Sequence, residues 1–230
     1  MASSATDTRW EARIERARSL AATRPEAHEA LNFFAALAAL QHSFTIDHPD
    51  AESALPHYLQ WLERNAPGPI SAVVHDSRST PWRQLVAGYS SAATDAPSAF
   101  IVEALLHAFP PDPCPFCGGT PVASLLREAG HGARRSHVCG TCLRESPALR
   151  LGCFACGETN LERLAVFRSE ATDPARLDAC ESCRVYVKTI DLTRDGSACP
   201  IADDLASVTL DLWAREQGYR RGRPNLLRLG

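Results

Sequence analysis

Apolar positions change their period once along the chain, and the change divides it. Up to residue 109 they recur at three- and four-residue spacing, which lines up one face of a helix. Trp10 to Ala22 is one such amphipathic stretch, and Arg24-Pro25 interrupts it before a second from about Glu26 to His42. Its inward positions are Leu31, Phe34, Leu37 and Ala38, with Phe44 just beyond. A third helix is expected after Pro49, with Leu55, Tyr58, Leu59 and Leu62 along one side. Pro67-Gly68-Pro69 reads as a loop, and two further helices are expected near Trp82 to Ala92 and Pro97 to Phe109. Five helices predict a bundle.

Past residue 113 the period shortens to two, which predicts strands at Val122 to Arg127, Leu161 to Phe167 and Val185 to Ile190. A last helix is expected from about Asp203 to Gln217, with Asp203 or Asp204 placed to cap its amides and Gly218 at its stop. Pro110-Pro111-Asp112-Pro113 forms a stiff connection, because proline fixes φ and cannot extend a helix. The expected architecture is α+β: a helical domain over 1–109, a linker at 110–113, a first β module over 114–150, and a second over 151–230 that ends in a helix and tail.

Nine cysteines all lie at or after position 114, and eight fall into Cys-x-x-Cys pairs. The pairs are Cys114/Cys117, Cys139/Cys142, Cys153/Cys156 and Cys180/Cys183. Two intervening residues let one tight turn deliver both sulfurs to a metal while backbone amides face the thiolates. Gly118 and Gly157 follow the second cysteine of the first and third pairs, where a positive φ would aim such an amide; the other two pairs lack that glycine. A glycine-bearing knuckle followed by one without it therefore repeats. The repeat assigns one tetrathiolate ion, zinc or iron, to Cys114, Cys117, Cys139 and Cys142, and a second to Cys153, Cys156, Cys180 and Cys183. A crossed arrangement would break the repeat. Thiol-disulfide chemistry is the alternative for such pairs, but none of them opens a clear helix. Cys199, alone before Pro200, reads as a small, partly buried residue, and His131 and His137 as loop or strand residues.

Composition narrows the function. A net charge of −3 gives no basic surplus, and between Cys114 and Cys183 arginines and carboxylates balance at eight each, which weighs against phosphate binding. Only Lys188 among the 24 basic residues is a lysine, which reads as a bias of the source genome. The opening Met1 to Asp7 lacks a basic region followed by an apolar run, and no stretch is long enough to insert in a bilayer. Paired cysteines without export point to the reducing cytoplasm.

The motifs resemble those of the formate dehydrogenase accessory protein family, FdhE. The resemblance rests on Cys114-Pro115-Phe116-Cys117-Gly118 with Pro121-Val122-Ala123-Ser124, the three later cysteine pairs, Val185-Tyr186-Val187-Lys188, Ala202 to Ala206, Leu210-Asp211-Leu212, and Gly218-Tyr219 to Asn225. Phe34 to Leu37 and Asp47-His48-Pro49 match upstream. The chain departs from the family pattern at Arg144 to Pro147 and at Asn225-Leu226-Leu227, and its N-terminal half is short. The resemblance implies rubredoxin-like folds around the cysteines with iron as the metal, self-association, and a non-enzymatic maturation role, chaperone-like, on the catalytic subunit of a formate dehydrogenase. It also suggests Asp203 and Asp204 as partner contacts, and on physical grounds a partner docking where the last helix meets the second module would find donors for its carboxylates in Arg220, Arg221 and Arg223. The competing readings are a zinc-ribbon nucleic-acid binder and a rubredoxin-like electron-transfer protein.

Overall fold

The computed structural model describes residues 3–89 and 96–228; Met1, Ala2 and the end expected for the helix at Ala92 lie outside them. The N-terminal half contains α1 (Ser3–Thr23), α2 (His28–Asp47), α3 (Ala51–Asn65), α4 (Gly68–Ser77), α5 (Trp82–Tyr89) and α6 (Ala96–Ala108). A short 3-10 turn at Pro25–Ala27 separates the first two, where Pro25 ends the run. Asp50 caps α3 through the Ser53 amide at 2.8 Å. The loop expected at Pro67-Gly68-Pro69 is instead the start of α4: proline in the first turn gives up an amide that has no partner there in any case. The residues expected inside α2 and α3, from Leu31 to Leu62, are buried.

The C-terminal half contains β1 (Pro121–Ala129), β2 (Gly132–Cys139), β3 (Glu145–Pro147), β4 (Leu164–Arg168), β5 (Ala175–Cys180), β6 (Val185–Asp191) and β7 (Arg220–Arg221), with α7 (Pro200–Ala206) and α8 (Val208–Glu216) between the last two strands. The expected single final helix thus starts three residues earlier, at Pro200, and breaks at Ser207, whose φ of −106° and ψ of 30° leave the helical region. Asp203 does serve an amide, accepting from Cys199 N–H at 2.6 Å.

Strands β1, β2 and β3 form an antiparallel meander, as do β4, β5 and β6, so each cysteine module has the same three-strand plan. The two meanders join by parallel pairing of β1 with β6, with Leu125 opposite Ile190, to give one mixed sheet in the order β3-β2-β1-β6-β5-β4. β7 adds to β6 in parallel, Tyr186 opposite Arg221. α7 packs against α1 and α2 on one side and β1 and β6 on the other, so a single apolar core runs from Ala17 to Leu226 through both halves. No described helix is long and apolar enough to cross a membrane.

Candidate metal centres

Each centre is assembled by two knuckles. In the first, Cys114 and Cys117 precede β1, while Cys139 closes β2 and Cys142 follows in the next turn. In the second, Cys153 and Cys156 precede β4, Cys180 closes β5, and Cys183 stands two residues before β6. The structure brings together Cys114, Cys117, Cys139 and Cys142, and separately Cys153, Cys156, Cys180 and Cys183, with the sulfurs of each group within 4.8 Å of one another. Sulfur separations of 3.7 Å for Cys153 to Cys183 and for Cys156 to Cys180 match the spacing of about 3.8 Å that a tetrahedron with 2.3 Å metal–sulfur bonds requires. Both clusters can hold a metal ion. The second cysteine of the leading knuckle, Cys117 or Cys156, is exposed in each, so both centres face solvent on one side.

Backbone geometry explains the knuckles. The residue after the second cysteine has positive φ in all four: Gly118 at 86°, Leu143 at 58°, Gly157 at 75° and Arg184 at 58°. Leu143, Gly157 and Arg184 each donate their amide to the carbonyl of the first cysteine of the pair, at 2.9 to 3.0 Å. The missing glycines of the second and fourth pairs therefore do not change the turn; leucine and arginine accept the left-handed conformation at a cost of about 1–2 kcal/mol.

The surroundings set the thiols of each cluster apart. Burial pushes the Cys139 and Cys180 thiols up, but amides of Cys142 and Thr141, and of Cys183 and Ser182, outweigh it and hold both below the ordinary thiol value. Burial and the neighbouring sulfurs push Cys183 up to about 12, and Cys142 is raised in the same way. Four sulfurs this close cannot all ionise without a cation between them. His137 is not among the ligands: its Nδ1 pairs with Ser124 Oγ at 2.8 Å, and burial, then Arg135, lower its pKa to about 4.

The five residues expected to meet a partner sit differently. Asp203 is 2% exposed and Asp204 fully buried. Asp203 takes Arg16 at 2.5 Å, and Asp204 takes Lys188 at 3.1 Å and Arg221 at 2.6 Å. Arg221 also pairs with Asp211 at 2.9 Å, and Arg223 with Glu103 at 2.7 Å. The two arginines do donate to carboxylates, but within the chain, because the tail folds back between the halves instead of projecting. Gly222 has no room for a Cβ against the Phe154 ring, nor Gly140 against Arg223, which shows how closely the tail is laid down. Of the five, Arg220 alone is exposed.

Sequence reasoning missed the group at the centre of this arrangement. Lys188 is fully buried, with Nζ 2.5 Å from Asp211 and 2.6 Å from the Asp204 carbonyl, and Tyr186 donates to Asp211 at 2.7 Å. The chain's single lysine is therefore a specific requirement: a compact ammonium fits where oxygens of Asp204, Ser207 and Asp211 converge, and a planar guanidinium does not. Its singularity was the available signal.

A family model described as the C-terminal domain of FdhE matches residues 151–228. The chain is 39% identical over 116 residues to a protein named FdhE homolog from Aquifex aeolicus, covering 50% of this chain and 41% of that protein. It is 37% identical over 121 residues to a protein of the same name from Pseudomonas aeruginosa, covering 50% and 38%. These alignments span about two fifths of the relatives' length. The crystal structure of the FdhE protein from Pseudomonas aeruginosa superposes with a TM-score of 0.73 at 24% identity, covering 95% of this chain and 94% of that one. The fold is shared along nearly the whole chain, and the second cysteine module with its tail is the part that matches the FdhE C-terminal domain.

Proposed function

We propose that this chain is a cytoplasmic accessory factor for a formate dehydrogenase, which binds the catalytic subunit during maturation and carries two tetrathiolate ions without catalysing a reaction itself. The observation that carries the reading is the coincidence of the FdhE match over 151–228 with two complete four-cysteine clusters in one sheet. Four thiolates fill a tetrahedral ion, so neither centre keeps an open position for hydrolytic chemistry. The metals stabilise the two knuckle pairs, and the sheet between them presents a rigid surface to the client.

Deleting the gene in its native host and measuring formate-dependent dye reduction tests the role. The expected result is a catalytic subunit still present but inactive, with the wild-type accessory chain co-purifying with that subunit from the parent strain. Full activity in the deletion strain together with no co-purifying subunit rejects it. Iron in the centres gives visible ferric-thiolate bands and zinc gives none, so an absorption spectrum of protein purified without added metal assigns the ion. Native mass spectrometry of the same sample counts ions and copies, which also tests self-association.

A further inference from the structure

A cavity of 650 Å³ opens between α1, the β1–β2 hairpin and the turn leading into α7. That volume lies in the range of small-molecule sites, roughly 300–1,000 Å³. Its walls mix apolar side chains, Val138, Leu143, Leu192 and Ile201, with arginines. Two of the arginines are already compensated: Arg16 pairs with Asp195 and Asp203, and Arg127 pairs with Glu145. Arg13 is not. It is 6% exposed and reaches the Cys199 thiol as a hydrogen-bond partner, with Arg9 as a second charge acting on it, but its Nη1 has no hydrogen-bond partner and no carboxylate among the described residues pairs with it. Glu15 also borders the cavity, from an exposed position on α1, and Glu145 is held by Arg127 and Ser136.

A buried guanidinium donor without an acceptor is costly, and folded proteins pair nearly all such groups. Arg13 is also held in place, its guanidinium carbon 4.3 Å from the centre of the Trp10 ring, which in turn stacks on His42. A fixed, desolvated fork of donors at the wall of an open cavity is the arrangement that recognises an oxyanion. We propose that this cavity binds a small organic anion, a phosphate or carboxylate on an apolar body, with Arg13 as the anchor for the anionic group and Val138, Leu143 and Ile201 receiving the body. The cavity borders the first metal cluster, since Val138 and Leu143 adjoin Cys139 and Cys142, and it joins elements from both halves of the chain, so occupancy would clamp α1 onto the first cysteine module.

Cys199 supplies a readout, because its half-buried thiol lines the same cavity. The experiment follows iodoacetamide alkylation of Cys199 by peptide mass spectrometry in the full-length, metal-loaded protein. Phenyl phosphate and phenylacetate are the probes, with inorganic phosphate and acetate as counterparts lacking the apolar body, all at matched ionic strength. An aromatic probe at ten times its Kd should slow alkylation about tenfold, and the probe that protects identifies the anionic group. Arg13→Gln should weaken that protection by about tenfold to a hundredfold. Leu192→Trp, which puts an indole at the cavity wall and leaves the Trp10 stack alone, should abolish it. Alkylation of the wild type at the same rate under every probe overturns the proposal, as does undiminished protection in a folded Arg13→Gln or Leu192→Trp variant.

Discussion

The two cysteine modules share one plan, a leading knuckle, two strands, a second knuckle and a third strand, yet their third strands have opposite fates. In the first module that strand is β3, three residues long at the edge of the sheet. In the second it is β6, seven residues buried along its whole length, paired with β1, β5 and β7. The metal sites are close to interchangeable in geometry, so the difference lies in what surrounds them. The first centre is wedged against the helical half: His107 bonds the Gly140 carbonyl, and Tyr89, Thr141, Glu103 and Arg223 form one hydrogen-bonded group beside Cys142. The second centre sits at the far side of the sheet, among exposed Leu151 and Leu161. Chelation is specified within four-residue knuckles, and position in the fold by the strand that follows.

The largest effect should come from emptying one centre at a time. Cys117→Ser and Cys156→Ser remove exposed ligands, so packing is undisturbed and the loss is that of coordination, part of a binding energy on the order of 10 kcal/mol. Each variant should lose one ion by native mass spectrometry and keep the other. Hydrogen exchange should separate them further: loss of the first ion should speed exchange in α5 and α6, and loss of the second should leave those helices protected. Equal deprotection of α5 and α6 in both variants would show that the modules are not mechanically distinct.

Lys188→Met removes the cation at the centre of the second module. It leaves Asp204 and Asp211 buried with Arg221 as their one remaining cation and the Tyr186 hydroxyl on Asp211, and losing one member of a buried ionic cluster costs about 3–5 kcal/mol. The denaturation midpoint should fall accordingly while a metal-loaded sample keeps both ions. Lys188→Arg should not rescue it, since the site accepts an ammonium. A variant as stable as the wild type would mean that the helices α7 and α8 are held by their apolar contacts only.

Much of this arrangement was readable from the residues, and the parts that were not share a cause. Helical spacing located the buried faces of α2 and α3, and the cysteine repeat gave the grouping into two tetrads, because both patterns are local. The pairing of β1 with β6 has no local signature: Ser124 and Thr189 are 65 positions apart in the numbering and meet only because the second module extends its third strand. β2 and β5 were overlooked for a related reason. Arg134, Arg135, Arg176 and Asp178 interrupt the apolar alternation, and Asp178 takes Arg176 from its own strand and Arg135 from β2 at 3.1 Å, a match that only the folded neighbours reveal. The intrachain partners of Arg221 and Arg223 have no local signature either, since nothing near Arg223 in sequence announces Glu103.

Acid should sharpen the contrast at the junction of the helical half and the first module. Burial, which outweighs the bond to Gly140, lowers the His107 pKa from 6.5 to about 3. The unfolded chain then takes up a proton that the folded chain refuses, so His107 costs no stability above about pH 6.5, and stability is lost progressively as pH falls from there towards 3. Between pH 6.5 and 5 the loss amounts to about 2 kcal/mol. His107→Gln keeps a donor for the Gly140 carbonyl and cannot titrate. The stability difference between wild type and variant, measured by denaturant midpoints on metal-loaded samples, should move in favour of the variant by that amount over this window. A pH-independent difference would mean that His107 titrates alike in the folded and the unfolded chain.

The smallest effect tests the knuckles themselves. Gly118 and Gly157 hold φ of 86° and 75°, and a Cβ at either would meet nothing within 4 Å, so Gly118→Ala and Gly157→Ala should cost only the strain of a left-handed alanine, about 1 kcal/mol. The corresponding positions in the other two knuckles already tolerate Leu143 and Arg184 in that conformation. Both alanine variants should therefore keep both ions and lose a few degrees of melting temperature, by equal amounts if the two modules use glycine for the same reason. Gly140→Ala provides the steric contrast, because its Cβ would overlap the Arg223 side chain and displace the hydrogen bonds to Glu103 and Thr141. It should be the more damaging substitution although Gly140 has no positive φ to preserve. If Gly118→Ala instead released the first ion while Gly157→Ala kept the second, the leading knuckles would not be equivalent, and the repeat would describe the cysteines alone and not the turns that present them.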